Sequence, residues 1–163
     1  MKIIGISAFY HDSAVAYIED GEIIFAAQEE RFSRVKHDAS FPKLSLSYLF
    51  KNFNLNINDI DHIVFYDKPF LTFERLIETY VSQFPRGFKS FSTSMPIWIK
   101  EKVFLEKLLI DEITDTVGNK KNLKINFSEH HVSHAASAFY PSPFRDAIIL
   151  CMDGVGEWVS NSI

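Results

Sequence analysis

Asp20-Gly21 stands between two apolar runs, SAVAYIE (13–19) and EIIFAAQ (22–28). Both residues tolerate positive φ, which a two-residue hairpin turn demands. The pair therefore commits the chain to an antiparallel hairpin near its start. KIIGIS (2–7) is a third short apolar run, so three antiparallel strands are expected to open the fold. Phe41-Pro42 then begins a helix, proline being suited to a first turn. Leu44, Leu46, Tyr48, Leu49 and Phe53 give this helix an apolar side, and it should end near Asn54. HIVFYD (62–67) reads as a buried strand, parallel to its neighbour because a helix intervenes.

Residues 69–117 carry helical patterns, with breaks expected at Pro85-Arg86-Gly87 and at Pro96. Phe70, Phe73, Leu76, Ile77, Tyr80, Phe84, Phe88, Phe91 and Trp98 form stripes there, read first as helix-packing surface, with a dimer face as the sharper alternative. LKINF (123–127) is a strand candidate, SEHHVSHAASAFY a short helix stopped by Pro141, and DAIILCMD (146–153) a buried strand. GEWVSNSI begins another strand. The expected fold is α/β, a mixed sheet of order βββαβαβα. Residues 1–145 would form one subdomain with a helical insertion at 69–117, and 146–163 the first hairpin of a second. That hairpin has no visible ending, so the chain is expected to be a piece of a longer protein. Its unpaired edges are expected to support a homodimer.

Composition narrows the function classes. Apolar residues make up 47% and charged residues 23%, with 16 phenylalanines, which suits a globular domain with some aromatic surface to spare for a partner. A net charge of -4 gives no electrostatic case for general nucleic-acid binding or for an anionic membrane surface. The single cysteine, Cys151, lies in the apolar run AIILCM and reads as a core residue. Without a signal-like or membrane-length apolar segment, the expected location is the cytoplasm.

Four stretches could carry chemistry. In HHVSHAASAF (130–139), a helix capped by Ser128 would put His130 and His134 one turn apart on one face, the i, i+4 spacing that lets two imidazoles share a metal. By spacing alone the pair is equally a metal site or two surface histidines. His131 lies about 100° around the helix, directed to substrate or solvent. In SAFYHDSA (7–14), His11, Asp12 and Ser13 form a polar strand-to-strand turn that could hold phosphate oxygens or accept a proton; a turn in which Asp and Ser bond the local backbone is the simpler reading. DGVGEW (153–158) is an acid with glycines in a turn. EERFSRVKHD (29–38) is by default a solvated loop, with a cationic wall for phosphate as the alternative.

Taken together, GISAFYHDSAVA, AAQEERFSRVKHDASFP, VFYDKPFLTFERLIETY, EHHVSHAASAFYPSPF and MDGVGEW resemble the N-terminal part of the O-carbamoyltransferase family of nodulation-factor and antibiotic carbamoyltransferases. The resemblance implies a ribonuclease H-like, actin-like (ASKHA) fold related to the universal protein of tRNA threonylcarbamoyladenosine synthesis. It implies transfer of a carbamoyl group from carbamoyl phosphate, through an ATP-derived carbamoyl-adenylate, to a hydroxyl of a small-molecule acceptor. A separate C-terminal domain would make the adenylate, and the chain alone should be inactive.

By the same resemblance His130 and His134 are metal ligands, for iron(II) or another divalent ion, with an acidic third ligand beyond this chain. His11 acts on the acceptor hydroxyl. Asp12, Ser13, Asp153, Gly154 and Gly156 sit in two nucleotide-facing loops, and Arg34, Lys36, His37 and His131 are candidate substrate contacts. The rivals are another enzyme of that fold, a kinase or a tRNA threonylcarbamoyl transferase, and a noncatalytic oligomerisation or binding module. The YDKPFLTFERLIETY stretch weighs against the first.

Overall fold

A computed structural model describes the backbone of residues 1–154 and 156–163, with the side chains of these except 97, 98 and 100–103. The chain forms two compact units, Met1–Tyr66 with Glu106–Phe127, and Asp67–Leu105 with Ser128–Ile163.

The first unit is built on five strands, β1 (Lys2–Ser7), β2 (Ala14–Glu19), β3 (Glu22–Gln28), β4 (His62–Phe65) and β5 (Ile125–Phe127), in the order β3-β2-β1-β4-β5. The three opening strands are antiparallel and β4 is added parallel, as the sequence predicts, and β5 extends the sheet parallel to β4. Asp20 and Gly21 turn the β2–β3 hairpin with φ of 51° and 90°, the left-handed conformation the turn requires. Register puts Ile4, Ile6, Val15, Tyr17, Ile63, Phe65 and Ile125 on one face of the sheet, and all seven are buried. This face carries the core. α2 (Lys43–Asn52) covers it with Leu46, Leu49 and Phe50, while Phe25 of β3 lies against the rings of Tyr48 and Phe53. α5 (Leu105–Val117) adds Leu109 and Ile113 to the buried set, and Lys43 pairs with Glu112 at 2.6 Å.

A short helix, α1 (Glu30–Ser33), follows β3, and here the expected solvated loop is corrected. Glu29 is only 3% exposed. Its carboxylate accepts bonds from the Leu44 and Ser45 backbone N–H groups and from Ser45 Oγ, at 2.8, 2.9 and 2.6 Å. Pro42, the residue preceding α2, has no side-chain oxygen with which to cap it, so Glu29 does so from across the loop.

The second unit contains the helix pair α3 (Pro69–Ser82) and α4 (Phe88–Val103), then α6 (His130–Phe139) and a two-residue antiparallel ladder of β6 (Cys151–Met152) with β7 (Asn161–Ser162). The break at 85–87 is present, with Gly87 at φ 79° preceding α4. The break expected at Pro96 is not, since α4 runs through it. Phe84, Phe88 and Phe91 make ring contacts in series and Tyr80 meets Phe91, yet Phe84 and Phe88 remain largely exposed. Trp98 lies outside the described side chains. The strand expected over 146–153 shrinks to Cys151–Met152, because its paired partner is only two residues long. Ile148 of the apolar run is 87% exposed. Among the described residues no helix is long and apolar enough to cross a membrane.

Candidate functional site

In the second unit, α6 presents His130 and His134 one turn apart, with their Nε2 atoms 3.1 Å from each other. The helix begins after Glu129 rather than being capped by Ser128, whose hydroxyl makes only a 3.5 Å contact to the Glu129 carbonyl. Asp153 follows β6 directly. Its N–H donates to the Ser160 carbonyl at 2.7 Å and its Oδ1 accepts the Gly154 N–H at 2.6 Å, which fixes the carboxylate. Oδ2 then lies 2.5 Å from His130 Nε2 and 3.7 Å from His134 Nε2.

Two imidazole nitrogens and one carboxylate oxygen thus converge, all within 4.8 Å of one another. Ligands about 2.1 Å from a shared ion lie about 3.0–3.4 Å apart; the 3.1 Å between the two Nε2 atoms matches, the Asp153 distances of 2.5 and 3.7 Å fall on either side of that range, and the mixed nitrogen and oxygen donors suit a divalent metal. Asp153 was expected in a nucleotide-facing loop, with the acidic ligand expected beyond this chain. Its position as a third donor carries no sequence signal beyond an acid at the end of an apolar run.

Further acidic groups flank these donors. Asp67 Oδ1 is 3.8 Å from His130 Nδ1, an ion-pair distance too long for a hydrogen bond, on the ring edge away from Asp153. Glu157 is 7% exposed and accepts the Lys68 backbone N–H at 2.5 Å. Burial, then the neighbouring Asp67, push its carboxyl up, against the lowering effect of the Lys68 and His130 N–H groups. Burial also acts to raise Asp153, but bonding from His130 and the Gly154 N–H, with the charge of both histidines, holds it below the usual carboxylate range. Sequence reasoning passed over Asp67 and Glu157; an acid ending an apolar strand was the available signal for Asp67. The Gly156 carbonyl accepts from Arg75 Nη1 at 2.5 Å, and Gly154 is exposed. His131 does not face open solvent alone: its Nδ1 is 2.7 Å from Ser162 Oγ, while its Nε2 is buried with no hydrogen-bond partner among the described residues.

A second cluster lies in the first unit. His11 Nδ1 is 2.9 Å from Asp12 Oδ2, and His37 Nδ1 is 2.8 Å from Asp12 Oδ1. Glu30 Oε2 accepts the His37 backbone N–H at 3.0 Å. Two backbone bonds lace the loops together, Phe9 N–H to the Ala39 carbonyl and Ser13 N–H to the Asp38 carbonyl. Ser13 is fully buried and its hydroxyl has no partner among the described residues, whereas Arg34 and Lys36 are exposed. The structure therefore gathers His11, Asp12 and His37, but not Arg34 or Lys36.

Residues 2–163 match the family described as Carbamoyltransferase N-terminus. The uncharacterised protein sll1178 of Synechocystis is 51% identical over 99% of this chain and 26% of its own length. Nodulation protein NolNO of Sinorhizobium fredii is 34% identical over 94% of this chain and 21% of its own. The uncharacterised protein MJ1058 of Methanocaldococcus jannaschii is 30% identical, across the whole chain and 32% of its own length. The chain thus spans between a fifth and a third of these relatives.

Proposed function

Because the chain belongs to the carbamoyltransferase N-terminus family, we propose that it supplies the transferring part of an O-carbamoyltransferase. The donor is carbamoyl phosphate, whose carbamoyl group is joined to the AMP part of ATP in a further domain of the whole protein, with release of phosphate and pyrophosphate. The acceptor is a hydroxyl of a small molecule. The observation that carries this reading is the convergence of His130, His134 and Asp153 in a chain matched to that family over residues 2–163. On the same reading the fold is of the ribonuclease H-like, actin-like kind, supported by three antiparallel strands extended by two parallel ones. Residues 1–145 would belong to its first subdomain and 146–163 would open the second.

Transfer requires the acceptor oxygen to attack the carbamoyl carbon while the bond from that carbon to the AMP oxygen breaks, AMP leaving with the electron pair. His11 takes the hydroxyl proton, a task for a neutral imidazole nitrogen. Gly154 and Gly156, lacking side chains, let their own backbone approach the nucleotide, and Arg34 and Lys36, exposed and cationic, meet phosphate. His130, His134 and Asp153 would hold iron(II) or another divalent ion, which when bound supplies positive charge to oxygen atoms of the donor.

The test uses the whole protein with carbamoyl phosphate labelled in its carbamoyl group, ATP and a panel of hydroxyl compounds. Label should appear as a carbamate ester, and His11→Ala should lower transfer while sparing adenylate formation. This chain by itself should turn nothing over. In calorimetry, anaerobic iron(II) and then zinc should bind it one to one, and His130→Ala with His134→Ala should abolish binding. A chain that takes up no metal, together with label that reaches no hydroxyl, would sink the reading.

A further inference from the structure

We propose that Asp12 is a positioning residue that sets the tautomer of two histidines at once, and that His37 is the second of them. The inference rests on the reading in which His11 handles the acceptor's proton. A carboxylate only accepts hydrogen bonds, so each imidazole nitrogen that meets it must carry the hydrogen. His11 and His37 both approach Asp12 through Nδ1, on separate oxygens, at 2.9 and 2.8 Å. In the neutral state both rings are therefore Nδ1–H, and both Nε2 atoms are left as bases turned away from the carboxylate. No hydrogen bond to either Nε2 forms among the described residues, and the two side chains are 63% and 62% exposed. The arrangement applies to two histidines the logic by which an aspartate holds a catalytic histidine in the tautomer that accepts a proton.

The surrounding backbone is spent on holding this bridge. Phe9, Asp12 and His37 all have left-handed φ, of 71°, 51° and 55°. Such conformations are uncommon outside glycine, and those that persist cluster where structure over-determines them for function. Here the over-determination is visible: Glu30 holds the His37 N–H, and the Phe9–Ala39 and Ser13–Asp38 bonds hold the two loops against each other. Glu30 thereby acts on His11 at two removes, through His37 and then Asp12.

Long-range proton–nitrogen NMR of the histidine rings, recorded above the pH range of imidazole protonation, reads the tautomers directly and needs no substrate. Wild-type His11 and His37 should both be mainly Nδ1–H. Asp12→Ala should return both to the Nε2–H form preferred by free imidazole. Asp12→Asn should split them, since its amide can accept from one ring and must donate to the other. His62, bonded to Asn126, is the internal reference and should not move. Wild-type rings that are mainly Nε2–H, or tautomers unchanged in both variants, overturn the proposal. In the whole enzyme, Asp12→Ala, which returns both rings to Nε2–H, should lower kcat about tenfold or more with little change in KM for the acceptor. Expected tautomers with undiminished kcat would instead overturn the assignment of His11 as the base, so the two failures are distinguishable.

Discussion

Asp12 is held below its ordinary value of 3.8, first by the bond from His37 and then by that from His11. His37 is held above its ordinary 6.5, first by the bond to Asp12, then by the charge of Asp12 and, more weakly, of Glu30. The signs fix a window. A depressed carboxylate contributes stability above its unfolded value and loses it as pH falls through the folded one. A raised histidine contributes fully below its unfolded value and loses that contribution as pH rises through the folded one. The bridge is therefore strongest between 3.8 and 6.5. Protection factors for amide exchange at residues 37–40, each taken relative to the intrinsic rate at that pH, should be highest in that interval and fall on both sides, and Asp12→Asn should flatten the profile. Sequence showed both histidines and the aspartate as polar loop residues. It did not show their meeting, because Asp12 and His37 are 25 positions apart and no periodicity joins two loops.

At the scale of elements, α2 depends on a residue outside itself. Of the apolar side read from the sequence, Leu46 and Leu49 are buried, whereas Leu44, Tyr48 and Phe53 stay exposed and Phe50, which that reading left out, is buried in their place. The cap was not readable, because Glu29 lies 15 and 16 positions before the groups it bonds. Glu29→Ala removes an oxygen pair serving two backbone N–H groups and the Ser45 hydroxyl, inside a site closed to water. The expected loss is about 2–3 kcal/mol, from a missing helix cap together with buried donors left unmet. Denaturant titration followed by circular dichroism measures it, and Glu29→Gln, which keeps an acceptor, should lose less. α6 shows the complementary case. Its histidine spacing was legible, while its N-cap at Glu129 instead of Ser128 reflects local backbone geometry that propensity does not resolve.

For the whole molecule, each unit carries its own cluster of histidine and carboxylate, one in loops beside the sheet and one between α6 and the residues after β6. Metal binding to the second is linked to the folding of the elements that supply its donors. At free metal about a hundredfold above its Kd, opening of α6 should be suppressed about a hundredfold, equivalent to about 2.7 kcal/mol. Hydrogen exchange with and without zinc reads this directly, and Asp153→Ala should remove most of the protection.

The sequence by itself determined the hairpin at Asp20-Gly21, the parallel addition of β4, the burial of Leu46 and Leu49 on α2 and the placing of His130 and His134 one turn apart. The parallel strand follows from the helix that precedes it, and the others from patterns of two to four residues, the range over which backbone geometry places side chains. Only the tertiary structure decided that Asp153 reaches His130 from 23 positions away, that His37 reaches Asp12, and that Glu29 turns inward. Those meetings depend on where loops close, and loop closure is set by packing of the whole chain rather than by any local repeat.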